Sequence, residues 1–260
     1  MNPLVAAALA EDVGPGDITT LLTVPAEVVA VGTVTARQDL RLAGVELLPE
    51  IFPCPVELVR QSGEALRDGD VIAIVRGPAR DLLTRERTVL NFLQRLSGVA
   101  TLTARYVEAV SGTGCRILDT RKTTPGLREL EKKAVAAGGG TNHRFGLFDA
   151  VLIKNNHITA AGGVREALAR AQGEIEVRTR EELREALVCG ATHLLLDNLT
   201  PAEAREWIAE IAGRATVELS GGITLETVRA YAETGADFVS IGALTHSAPA
   251  VDINFRVELS

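Results

Sequence analysis

A chain of 260 residues with 46% apolar but only 3% aromatic side chains can bury a sizeable core, filled by Leu, Val, Ile and Ala rather than by rings. Its formal net charge of -7 excludes a broad nucleic-acid or anionic-membrane surface, while leaving room for a local basic pocket. No apolar run approaches the ~18 residues that span a bilayer, the start lacks the basic region of a signal peptide, and Cys54, Cys115 and Cys189 show no paired spacing, so a reducing cytoplasm is the expected location.

In chain order, residues 26–37, 55–60 and 69–77 have the β-branched content of strands and are separated by Gly, Pro and Asp turns. From Asp81 onward Leu83, Leu90, Leu93 and Leu96 recur near helical spacing, which predicts one or two long helices. A different rhythm begins at residue 115. Apolar runs at 115–119, 150–154, 174–177, 192–197, 215–219 and 237–241 predict six strands, most of them apolar on both faces. Between them Thr124-Pro125, Thr179, Thr200-Pro201 and Thr224 open helices, which end near Gly138, Gly190, Gly213 and Gly235. Alternation of this kind without hairpin signals means a parallel sheet. Finally Ile253, Phe255, Val257 and Leu259 alternate strictly, as on one face of a half-buried strand returning to the N-terminal sheet. The expected fold is α/β: an open, incomplete (β/α) barrel over residues 109–246, beside a smaller α/β sandwich made of 1–108 plus 247–260.

Closure toward a barrel is favoured because nearly every late strand ends in something chemical, and in such barrels all carboxyl ends meet at one mouth. Arg121, Lys122, His143, Arg144 and Lys154 fall at strand ends or in loops. Cations converging in one cup repel, and a polyanionic ligand repays that cost. Glu131, Lys132 and Arg128 fall on a helix and are expected to be solvated. Ser220-Gly221-Gly222 and Gly242-Ala243 follow consecutive strands, where glycine lets backbone N–H groups approach a phosphate. Glu176 and Asp197 end neighbouring strands. They suit ribose hydroxyls and a hard cation such as magnesium, held partly through water, or could instead pair with the nearby arginines. The residues alone thus describe a mouth for a phosphorylated sugar and a second anion.

The ordered set EDVGPGDITT, ERTVLNFLQRLSGVAT, DTRKTTPGLR, AVAAGGGTNHRFGL, LIKNNH, EIEV, LLLDN, ELSGGIT and SIGALTHS spans nearly the whole chain and resembles the quinolinate phosphoribosyltransferase family. The resemblance implies about seven barrel strands, and a homodimer in which one subunit's N-terminal domain completes the other's active site, with a higher oligomer left open. It also implies two substrates, quinolinate and phosphoribosyl pyrophosphate, with magnesium and no organic cofactor. By motif, Arg121, His143, Arg144 and Lys154 would hold quinolinate, Arg87 would reach in from the partner, and Lys122 would serve the pyrophosphate. Glu176 and Asp197 would be catalytic and handle ribose and magnesium, while Ser220, Gly221, Gly222, Gly242 and Ala243 would take the 5-phosphate. Asn155 stands where the family usually has Asp, Lys133 replaces a usual aromatic, and the Lys154-to-Glu176 connection is short. Two rival activities share these features: a homologue of the molybdenum operon, and a sugar-phosphate lyase or isomerase using Lys154 as a Schiff-base nucleophile.

Overall fold

A computed structural model of the chain describes residues 2–260. In chain order the elements are α1 (Pro3–Val13), α2 (Ile18–Thr23), β1 (Val29–Ala36), β2 (Leu40–Arg41), α3 (Leu48–Ile51), β3 (Val56–Leu58), β4 (Ala65–Leu66), β5 (Val71–Pro78) and the long α4 (Ala79–Ala109). They continue with β6 (Arg116–Leu118), α5 (Arg128–Ala137), β7 (Leu152–Ile153), α6 (Asn155–Ala161), α7 (Val164–Arg170), β8 (Glu174–Val177) and α8 (Arg180–Val188). The last are β9 (His193–Asp197), α9 (Pro201–Ile211), β10 (Thr216–Ser220), α10 (Val228–Ala232), β11 (Phe238–Ser240), α11 (Ala243–His246) and β12 (Ile253–Leu259). None of the described helices is long and apolar enough to cross a membrane.

Two compact units interleave along the chain. The first comprises the residues up to Ala104 together with Thr123–Gly139 and Ser247–Ser260; the second comprises Arg105–Lys122 and Gly140–His246. This differs from the sequence division at two places: residues 105–108 go with the second unit, and 123–139 with the first. The reason for the latter lies in α5, whose residues were expected to be solvated. Glu131 and Lys132 are buried, and Glu131 receives Arg95 Nη2 at 2.8 Å and the Thr124 backbone N–H at 3.0 Å, all within the first unit.

In the first unit the sheet order is β12-β1-β5-β3, antiparallel at every pairing. Alternation along β1 buries Ala30, Val34 and Ala36. The returning strand docks where β1 lacks a side chain: a Cβ on Gly32 would lie 2.1 Å from the Phe255 ring, which stacks on Phe52 at 5.7 Å. Leu259, expected on the buried face of β12, is 79% exposed because it lies at the sheet's end. The N-terminal helices were not foreseen, although Asp17 caps α2 through the Thr20 N–H.

The second unit is a six-stranded parallel sheet in the order β6-β11-β10-β9-β8-β7. The seventh strand is reduced to one bridge, Thr141 against Leu118, on the free edge of β6, so the barrel is open there. Thr179 and Thr200 cap α8 and α9 as the sequence predicts, the latter in a capping box with Glu203. Thr224 does not cap its helix. Its N–H donates to Thr227 Oγ1, so residues 224–227 form a turn and α10 starts at Val228. Pro125 likewise sits in a turn ahead of α5. Trp207 is buried on α9 and Cys115 is buried, with burial pushing its thiol up to about 11, an inert packing group.

Arg95→Ala leaves Glu131 buried and short of its cation, so unfolding should become easier by about 3 kcal/mol. Urea denaturation monitored by circular dichroism measures this, and Arg95→Ala/Glu131→Gln should recover part of the loss.

Candidate active site

Within the second unit the period-2 alternation of each strand decides which side chains enter the barrel. Ile175 and Val177 are fully buried toward the helix layer, so Glu174, Glu176 and Arg178 form the inward series of β8 and its exit. By the same alternation β9 sends in Leu195 and Asp197, and β10 sends in Glu218 and Ser220. Together with loop residues, all of these except Glu174 line a cavity of about 440 Å³ at the carboxyl ends of the strands.

Arg121, Lys122, His143, Arg144 and Lys154 all lie on its wall, as the sequence predicts. Burial, reinforced by the Arg121 charge, lowers the pKa of Arg144: like charges do converge here. The turn that carries Asn142, His143 and Arg144 is held from below by Asp119, a fully buried residue just past the end of β6. Asp119 Oδ1 accepts the His143 backbone N–H at 2.8 Å, and Oδ2 accepts Asn142 Nδ2 at 2.7 Å.

His143 itself faces downward. Its Nε2 is 3.0 Å from Glu174 Oε2 and 3.4 Å from Glu218 Oε2, while Nδ1 accepts the Arg144 N–H at 2.6 Å. These three residues also have the composition of a metal site. The Arg144 contact opposes it, because an Nδ1 that accepts a hydrogen bond leaves the proton on Nε2, where a metal would need a lone pair. The cluster holds protons instead. Hydrogen bonds and charge from Glu174 and Glu218 push His143 up to about 9, and burial pushes Glu218 up while His143 pulls it down. Protonation of Nδ1 would cost the Arg144 N–H contact, which opposes the upward pull of the two carboxylates.

Glu176 and Asp197 also line the cavity, and in this structure both are paired. Glu176 accepts Lys154 Nζ at 3.1 Å through Oε2 and lies 2.8 Å from Arg178 Nη2 through Oε1. Asp197 Oδ2 accepts Asn198 Nδ2 at 2.7 Å and lies 3.6 Å from Arg178 Nη2. Arg178 is a site residue that the sequence does not single out; the alternation Glu-x-Glu-x-Arg was the signal for it. Asn198, Glu174 and Glu218 were missed too.

Ser220, Gly221 and Gly222 form a tight loop on the same wall. Gly221 (φ +107°) allows no side chain, since a Cβ would sit 2.8 Å from the Asn198 backbone nitrogen and 2.2 Å from its side-chain oxygen. That nitrogen donates to the Ser220 carbonyl, and Asn198 takes the left-handed conformation itself (φ 60°). Gly242 and Ala243 lie beyond β11 and do not line the cavity; a Cβ on Gly242 would meet the Lys122 side chain at 3.0 Å. Arg87 is an exposed residue of α4 in the first unit and is likewise not on this wall.

Because His143 is raised above its unfolded value, its contribution to stability is complete below about pH 6.5 and is lost as pH rises through about 9. The melting temperature should therefore fall across that window. Glu174→Gln should flatten the fall, which thermal scans from pH 6 to 10 will test. Gly221→Ala should abolish ligand binding in the cavity with the fold retained, as read by calorimetry and circular dichroism.

The model of the quinolinate phosphoribosyl transferase C-terminal domain matches residues 99–256, and that of the N-terminal domain matches residues 17–97. The probable nicotinate-nucleotide pyrophosphorylase [carboxylating] of Bacillus subtilis is 43% identical, over 96% of this chain and 91% of its own. The nicotinate-nucleotide pyrophosphorylase [carboxylating] of Mycobacterium leprae is 42% identical, over 95% of this chain and 93% of its own. Among solved structures, NadC from Streptococcus pyogenes superposes with a TM-score of 0.94 at 37% identity, covering 99% of this chain and 96% of that one. Two matched domains, full-length relatives and a shared fold agree with the cationic cup that the residues build, and the chain belongs to the quinolinate phosphoribosyltransferase family.

Proposed function

We propose that this protein joins quinolinate to phosphoribosyl pyrophosphate, giving nicotinate mononucleotide, carbon dioxide and pyrophosphate, a step of pyridine-nucleotide synthesis. The observation that carries the reading is the cavity in which Arg121, Lys122, Arg144 and Lys154 surround two carboxylates and a glycine loop. Its volume suits two small anionic ligands held side by side.

Arg121 and Arg144, helped by Lys154, grip the two quinolinate carboxylates, because planar guanidinium forks pair bidentately with carboxylate. His143 contributes the ring and the turn that carries Arg144; its nitrogens are engaged with Glu174, Glu218 and the Arg144 amide. The Ser220–Gly222 loop takes the 5-phosphate, and Lys122 serves the pyrophosphate. The quinolinate nitrogen attacks the sugar carbon as the carbon–oxygen bond to pyrophosphate breaks. Catalysis is mainly the positioning of two molecules that repel each other, with stabilisation of the leaving charge. The alkylated ring is then an electron sink: its 2-carboxylate leaves as carbon dioxide, and the ring carbon takes up a proton.

Glu176 and Asp197 offer hard oxygen donors on neighbouring strands, a set that fits magnesium and ribose hydroxyls. When bound, magnesium neutralises charge on the pyrophosphate. No organic cofactor enters the reaction.

A homodimer with shared sites is part of this reading. The loop following Arg144 exposes Leu147 at 73% and Phe148 at 82%, an apolar rim that a second copy would cover. Arg87, exposed on α4, is available to a neighbour's site rather than its own. The lyase alternative is disfavoured by Lys154, whose partner is a carboxylate, whereas Schiff-base lysines sit in apolar pockets or beside other cations.

Incubation with quinolinate, phosphoribosyl pyrophosphate and magnesium should give nicotinate mononucleotide, and nicotinic acid should not replace quinolinate; chromatography of the products decides. Arg121→Ala or Arg144→Ala should cost about 2 to 4 kcal/mol in kcat/KM for quinolinate, and unchanged kinetics in both would contradict the assignment. Mixing inactive Arg87→Ala with inactive Lys154→Ala should restore activity through hybrid dimers, each with one intact site.

A further inference from the structure

Arg178 lies on the wall of the same cavity. As the third inward residue of the β8 series, it reaches across to both carboxylates that the proposed function assigns to ribose and magnesium. We propose that Arg178 is a further binding residue for the phosphoribosyl donor: it covers Glu176 and Asp197 while the donor subsite is empty, and turns onto the donor's pyrophosphate when those carboxylates are needed. This rests on the functional reading just given.

Three features support a guanidinium that moves over fixed carboxylates. The side chains of Glu176 and Asp197 are 5% and 16% exposed, whereas that of Arg178 is 48% exposed, so the anions are set in the wall and the cation lies over them. Each anion keeps one partner when Arg178 leaves, Glu176 Oε2 holding Lys154 at 3.1 Å and Asp197 holding Asn198 at 2.7 Å, while the buried Glu176 Oε1 is freed for a ligand. The backbone stays in place: the Arg178 N–H donates to Glu182 Oε2 at 2.7 Å, and the next residue, Thr179, caps α8. Only the side chain has to rotate.

The chemistry gives the swap a direction. Arg178 and a divalent cation compete for the same oxygens, since each neutralises them and neither tolerates the other close by. The donor arrives with a pyrophosphate, whose paired oxygens match the guanidinium fork better than two carboxylates on separate strands do. Magnesium and Arg178 then act on the same ligand from two positions, where before they would have excluded one another.

The test uses the intact protein and two readouts. Free Mn2+ is titrated against the unliganded protein by electron paramagnetic resonance, and steady-state kinetics give KM for each substrate. Arg178→Gln should bind Mn2+ several-fold more tightly than the parent. It should also raise KM for phosphoribosyl pyrophosphate by about tenfold or more, the worth of a charge-assisted hydrogen bond, with KM for quinolinate unchanged. Arg178→Lys should recover part of the donor KM, and circular dichroism should show both variants folded. Unchanged Mn2+ affinity in Arg178→Gln would overturn the swap whatever the kinetics do, and an unchanged donor KM would overturn the binding role. Failure of the parent protein to form nicotinate mononucleotide would instead sink the underlying assignment, which separates the two.

Discussion

Repulsion between like charges is the constraint on which the rest of this molecule depends. Arg121 and Arg144 are close enough that one lowers the other's pKa, and Lys122 and Lys154 share their cavity. Such a group persists only over a floor of opposite sign. The parallel strands supply it, because alternate residues of adjacent strands point into one lumen. Asp119 fixes the turn that carries Arg144, Glu176 pairs with Lys154, and Glu174 with Glu218 holds His143. The protein is acidic overall, and its cationic cup stands on carboxylates within the barrel. In the proposed reaction the cations at the mouth would meet the anionic substrates, and the carboxylates below would steady the positive charge that develops on the sugar.

Much of this was legible in the sequence because strand periodicity and helix capping are local rules. Strand β8 occupies residues 174–177 as the apolar run predicts, and Thr200, Pro201 and Glu203 form the box their spacing announces. Where the reading failed, a competing interaction had won. Thr224 carries a capping residue's identity, yet its amide is taken up by the Thr227 hydroxyl. Glu131 and Lys132 look like a solvated face, since charge alone suggests exposure; Arg95, 36 residues away, supplies the cation that helps make burial of Glu131 tolerable. The seventh strand shrank to a single bridge at Thr141, a degree of pairing that no periodicity records.

The candidate site divides in the same way. Residues that end strands or sit in glycine loops were identified from position, and ten of them meet in one cavity: Arg121, Lys122, His143, Arg144, Lys154, Glu176, Asp197, Ser220, Gly221 and Gly222. The orientation of each side chain was not legible. His143 belongs to the site by location but turns its Nε2 to the carboxylates beneath, because Glu174 and the buried Glu218 attract that proton more strongly than an open mouth does. Arg178 escaped notice because it follows the apolar run rather than ending it, although the alternation of β8 continues through it.

The pairing of β1 with β12 has a consequence for biosynthesis. Ala36 lies opposite Ile253, so the inner strand of this sheet leaves the ribosome more than two hundred residues before its neighbour does. At ordinary elongation rates that delay is about 10 to 40 seconds, during which one edge of β1 carries bare amide and carbonyl groups. An edge left open for so long is a template for the wrong partner, including another nascent copy. A chaperone that shelters the emerging N-terminal sheet would guard the interval, and the yield of native protein should depend on how quickly the last strand arrives.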